Sequence, residues 1–214
     1  MIGLIRKDLY YLGTSWKPLL LSILILGGFA TVKGFGAILI VVLPTFFGMS
    51  IMGCIQLDAE KKWYDYHKIL PISLKNIVAS RYLAYLAFVG IGFFITVIYG
   101  YGVQWTMGLQ SLGTRFALWQ GFLMGITLAL AFAAVFIPVT YYYKGQKMEI
   151  SMMASGFISF GIVYLASKIL DLLGIRLIDY TNIFIQILFS VSVIAFIVSW
   201  GVSNIVYKKC LYNR

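Results

Sequence analysis

Phe35 to Leu57 reads FGAILIVVLPTFFGMSIMGCIQL, without a single charge. A helix needs ~20 consecutive apolar residues to cross the hydrocarbon core of a bilayer. This stretch supplies them. Five further segments read the same way: residues 18–32, 82–103, 116–142, 150–167 and 182–207, none holding Asp, Glu, Lys or Arg. The expected fold is an all-α membrane protein, one transmembrane domain over residues 1–214 with six spans. The first span is short, and only Lys33 and Gly34 separate it from the second. Those two spans must form a tight helical hairpin. A hairpin that stops short of a full crossing is the alternative for this pair.

Composition agrees. The chain has 214 residues, 61% of them hydrophobic and 11% charged. Soluble domains are ~25% charged. A water-soluble domain of this length cannot hide so much apolar surface, so soluble and disordered classes are excluded. The formal net charge is +10. In a soluble protein that surplus would suggest nucleic acid. In a membrane protein it sets orientation, because short cytoplasmic loops collect Lys and Arg. Thirteen of the 17 basic residues fall on one side of the six spans, among them Arg6, Lys61, Lys75, Lys144 and Lys208. Lys33, Arg115, Lys168 and Arg176 fall on the other. The first side is expected to be cytoplasmic, with both termini on it.

Residues 1–17 read as an amphipathic helix in the interface plane. Ile2, Ile5, Leu9, Leu12 and Trp16 form one stripe, with Arg6, Lys7 and Asp8 off it. Such a helix lies apolar face down before the chain turns into the bilayer. No small-residue cleavage site closes the following apolar run, so it is not read as a signal peptide.

Several chemistries are excluded by what is missing. Proton-coupled carriers place ionisable residues at bilayer depth, and these spans have none, which argues against a proton-driven carrier; sodium coupling through backbone carbonyls stays open. A metalloprotease needs several His, Asp or Glu ligands, but the chain has one histidine, His67. Cys54 and Cys210 have no CxxC partner, which argues against a zinc site or a disulfide framework. Lys144-Gly145-Gln146-Lys147 lacks the first glycine and the Ser/Thr of a P-loop. The chain is therefore expected to be non-catalytic, with no cofactor of its own.

The loop after the second span is the most distinctive. Residues 58–70 start at Asp58, a good N-cap, with Glu60 in the first turn, and Pro71 stops the helix. Ser73 can then cap the helix that becomes the third span. Trp63, Tyr66, His67 and Leu70 share one face, flanked by Lys61, Lys62, Asp65 and Lys68. Two readings stand. The face is an interfacial anchor, or it fills a groove on a cytoplasmic partner.

The acidic residues after span two, then Trp63-x-x-Tyr66, Leu70-Pro71-Ile72-Ser73 and Arg81-Tyr82-Leu83, resemble the permease subunit of type 2 ATP-binding-cassette (ABC) exporters. Pro138 and Tyr143-Lys144-Gly145-x-Lys147 resemble that family's loop after its fourth span. The compact size is similar to small bacterial peptide permeases, including exporters of phenol-soluble modulins.

The resemblance implies two permeases, here a homodimer, above two separate ABC ATPase subunits that hold ATP and Mg. It implies that 58–70 is a coupling helix docking on the ATPase through Glu60, Trp63, Tyr66, His67 and Leu70. It also implies a gate-like element in the outer loop 168–181, where Lys168, Asp171, Arg176 and Asp179 are lid candidates. A solvated connecting loop is the other reading. A path through uncharged spans suits a hydrophobic or amphipathic substrate, a peptide being the expected class. Gln56, Thr96, Gln120, Thr127, Asn182 and Gln186 are its candidate polar contacts, although such residues often bond between helices instead. The rivals are a non-transporting membrane partner or sensor, and an ATP-independent channel or carrier.

Overall fold

A computed structural model describes residues 2–61, 73–107, 118–143, 145, 147–172 and 181–212. Every regular element among them is an α-helix. In chain order these are α1 (Ile2–Val32), α2 (Gly36–Met49), α3 (Ile51–Glu60), α4 (Leu74–Met107), α5 (Leu118–Tyr142), α6 (Met148–Leu172) and α7 (Thr181–Tyr212).

Four stretches are long and apolar enough to cross a membrane: Gly36–Glu60, Leu74–Trp105, Leu118–Tyr142 and Asn182–Lys209. Within α6 the stretch Met148–Ile162 is also apolar. The outer surface carries the same signature. Phe94, Ile98, Phe157 and Ile194 are each more than 60% exposed, which suits hydrocarbon rather than water as the surrounding medium.

Helix ends differ from the sequence reading in informative ways. α1 runs unbroken from Ile2 to Val32, so the chain does not turn between a surface helix and a first span near residue 17. Pro18 removes one backbone donor there, and the helix continues past it. At ~1.5 Å per residue such a helix is long enough to hold both a surface portion and an apolar portion on one axis. Asp58 does not begin a new helix either. It lies buried inside the last turns of α3, which continues to Glu60. Ser73 does precede α4, and its carbonyl accepts from the N–H groups of Asn76 and Ile77.

The expected α1–α2 hairpin is closed by backbone chemistry. Gly34 has φ of +74°. Its N–H donates to the Thr31 carbonyl at 3.1 Å, and the Phe35 N–H to the Ala30 carbonyl at 2.7 Å. These paired bonds end a helix by capping its last free carbonyls, and they need a left-handed residue that glycine supplies without strain.

The described residues divide into two compact units. The first holds residues 1–54 and 80–129, and the second holds 55–79 and 130–214. In the first, Tyr85, Phe88 and Ile51 are fully buried. Pro44 has no N–H, so it cannot take up the Ile40 carbonyl. That oxygen and the Val41 carbonyl lie against Gly125 of α5, where an added Cβ would come within 2.9 Å and 3.2 Å of them. A glycine there lets the freed Ile40 carbonyl lie close to a neighbouring backbone instead of a side chain. In the second unit, Phe136, Ile137, Ile185 and Tyr207 are buried, and the rings of Tyr141 and Tyr207 stand 5.0 Å apart.

Candidate functional site

The turn after α5, which carries part of the family resemblance, meets the end of α3 in the second unit. α5 ends at Tyr142, and the Gly145 N–H caps it by donating to the Thr140 carbonyl at 3.0 Å. Gly145 has φ of +73° and is buried against the last turns of α3. A Cβ on it would lie 3.0 Å from the Ala59 Cβ and 3.4 Å from Ile55 Cγ2. The turn after α5 is thereby seated on the end of α3, next to the point where residues 62–72 begin.

A cleft of about 580 Å³ opens at this junction, lined by Gln56, Glu60, Gly145, Lys147 and Glu149 among others. Gln56 Nε2 donates to Glu60 Oε1 at 3.2 Å, across one turn of α3. Lys147 Nζ lies 5.7 Å from the centre of the Tyr143 ring, a cation–π distance. Glu60, Lys147 and Glu149 are all exposed. This rim of two carboxylates and one ammonium can form charge-assisted hydrogen bonds with a polar partner surface. No group of three or more His, Cys, Asp or Glu suited to a metal occurs among the described residues.

Of the expected docking residues, Glu60 is exposed at the end of α3. Trp63, Tyr66, His67 and Leu70 lie outside the described residues. Among the lid candidates, Lys168 is exposed and Asp171 belongs to the last turn of α6, which extends past the expected end at 167 to Leu172. Arg176 and Asp179 lie outside the described residues.

The path candidates divide. Gln56, Asn182 and Gln186 are exposed, and Gln120 is half-buried. Thr96 and Thr127 are buried, and their hydroxyls donate to carbonyls of their own helices, Gly92 and Leu123, each at 2.7 Å. That bond satisfies a polar group in an apolar interior without a partner helix.

Sequence reasoning missed a second polar constellation, in the first unit. Asp8 and Arg81 are 1% and 8% exposed, and Arg81 Nη1 lies 2.8 Å from Asp8 Oδ1. Lys7 Nζ lies 3.8 Å from the same oxygen. The Cys54 thiol contacts the Asp8 carbonyl oxygen at 3.8 Å. Burial pushes the Asp8 carboxyl above its ordinary range, with Arg81 and then Lys7 pulling it back. The side of α1 that holds Asp8 is thus turned into the protein. Leu9, on the expected apolar stripe, is 36% exposed. A carboxylate and a guanidinium can share a buried site where neither could sit alone. The available signals were Asp8 lying off the stripe and a basic residue opening the third span.

No curated protein and no solved structure matches the chain significantly. One family model does, described as ABC-2 family transporter protein, and it matches residues 3–208. That match covers nearly the whole chain, in agreement with the long apolar helices. The chain belongs to the ABC-2 transporter family: it is a multi-pass membrane subunit of an ABC transporter, and ATP hydrolysis lies in a separate ABC ATPase with which it works.

Proposed function

We propose that the chain forms the translocation path of an ATP-driven exporter for a hydrophobic or amphipathic substrate, most simply a peptide. The observation that carries this is the seating of Gly145 on Ala59. It brings the end of α3, from which the chain continues into residues 62–72, and the turn after α5 into one junction. A load applied there acts on several helices together.

In this reading residues 58–70 dock on the ATPase, with Glu60, Trp63, Tyr66, His67 and Leu70 as the contacts. Closure of the ATPase pair around ATP displaces that segment and the helices it joins. Two identical chains sit above two ATPases, and ATP with Mg is bound by the ATPases alone. The cavity between the two permeases closes to the cytoplasm and opens outward. Nucleotide needs only to bias two pre-existing states. Both termini are cytoplasmic, the chain crosses the cell membrane six times, and residues 168–181 cover the exit. Apolar and aromatic surface with few polar groups favours a peptide of the phenol-soluble modulin kind over a sugar or an ion.

The test is co-purification with the ATPase, followed by ATP turnover in liposomes. Trp63→Ala with Tyr66→Ala should lower recovery of the ATPase or remove its stimulation by the permease. A double variant that still assembles and turns over ATP at the original rate removes the docking role.

A further inference from the structure

The Asp8 turn of α1 touches both helices that lead into and out of the docking segment. Its carbonyl oxygen meets Cys54 of α3, six residues before Glu60. Its carboxylate meets Arg81 of α4, eight residues after Ser73. Residues 55–79 leave from one of these contacts and return to the other. The helical stretch from Leu74 to Arg81 is about two turns long, stiff enough to act as a short lever.

The pair is poorly explained as a stabilising device. A buried ion pair loses in desolvation much of what it gains in attraction, and an apolar pair of similar volume often does as well. Its best-attested use is to fix register between elements. Among the described residues Asp58 is the one other buried charged residue, and register between α1 and α4 is the use that fits Asp8 and Arg81.

We infer that the Asp8–Arg81 ion pair is a positioning pair that locks α1 to α4 where α4 leaves the docking segment, so that α1 and this part of α4 move as one body. The first helix is then a driven element and not a passive anchor. This role rests on the docking reading only for the source of the motion. The lock itself is a property of the chain alone.

The experiment reads the lock by the distance between two spin labels, on Gly3→Cys and Leu83→Cys. Gly3 is exposed with open space around it, and Leu83 is 47% exposed. Cys210 is replaced by Ser, and buried Cys54 is kept. In nanodiscs the chain should give a narrow distance distribution. Asp8→Asn and Arg81→Met should make it about twofold broader, as a held pair becomes an ensemble. The double variant Asp8→Leu with Arg81→Met guards against misfolding, because it leaves no charge buried alone. It should be well folded and still broad.

In the complex with the ATPase, the wild-type distance should be the same without nucleotide and after trapping with ADP and vanadate. Failure of the ATPase to bind or hydrolyse would count against the docking reading and leave the nanodisc result standing. The inference is overturned if the apolar pair is as narrow as wild type. It is equally overturned if the wild-type distance changes on trapping.

Discussion

Gly145 holds a backbone conformation that a side chain would strain twice. Its φ is +73°, and a Cβ would press on Ala59 at 3.0 Å. Gly145→Val should cost about 1–3 kcal/mol and lift the loop from α3. Thermal unfolding of the purified complex should show the drop, and ATPase stimulation by the permease should fall with it. An unaltered midpoint would mean that the loop is not held at this residue. Asp8 supplies a pH dependence. Its carboxyl keeps its proton more firmly in the folded chain than in the unfolded one, where 3.8 applies. Its contribution to stability is therefore full below pH 3.8 and is lost as pH rises through the higher folded value. Stability of the detergent-solubilised chain, followed upward from pH 3.8, should fall more steeply for wild type than for Asp8→Asn. Parallel curves would place the titration elsewhere. Gly145 was legible in the sequence as part of a short motif, whereas the burial of Asp8 was not. Periodicity shows which residues share a face of a helix, but not what that face meets, and Arg81 lies on a distant helix.

At the scale of elements, the join between α2 and α5 is the most exacting contact. The Ile40 and Val41 carbonyls, beside Pro44, leave room only for a hydrogen at Gly125. Gly125→Leu should overpack this join and cost about 1–3 kcal/mol, lowering the unfolding midpoint in detergent. Gly28→Leu is the control, since nothing lies within 4 Å of a Cβ there. Equal effects at the two positions would remove the close approach as the cause. The apolar elements themselves were legible. Phe35–Leu57 anticipated the α2–α3 stretch, and the end of α5 at Tyr142 was met. The continuity of α1 through residue 17 and the ends of α3 and α6 were not. Asp58, read as the start of a helix, is buried near the end of α3 instead. Local stop signals were too weak to decide these limits.

At the scale of the molecule, the membrane class followed from composition, because no soluble arrangement hides such a surface. The proposed orientation rests on the placement of basic residues and makes a sharp prediction. In cells carrying a chain without Cys54 and Cys210, Lys33→Cys should react with an impermeant maleimide from outside. Lys209→Cys should react only after the membrane is opened; both positions are exposed. The reverse pattern would invert the topology and with it the docking reading. The division into two units was not legible, because it cuts through α3, α4 and α5. Hydropathy measures whether a segment prefers lipid, and carries no information on which parts of different segments pack together.

The buried hydroxyls bear on how such a bundle changes shape. Thr96, Thr127, Thr140 and Ser155 all donate to carbonyls of their own helices. Sliding one of these helices along another breaks none of those bonds. The resistance there comes from dispersion contacts, which are individually weak and can be remade after a small slip. In the first unit two phenols do bridge helices: Tyr85 to the Ala129 carbonyl at 2.7 Å and Tyr99 to the Gly27 carbonyl at 3.4 Å. In mechanical terms, those bridges act with the Asp8–Arg81 pair as rivets between helices of the first unit.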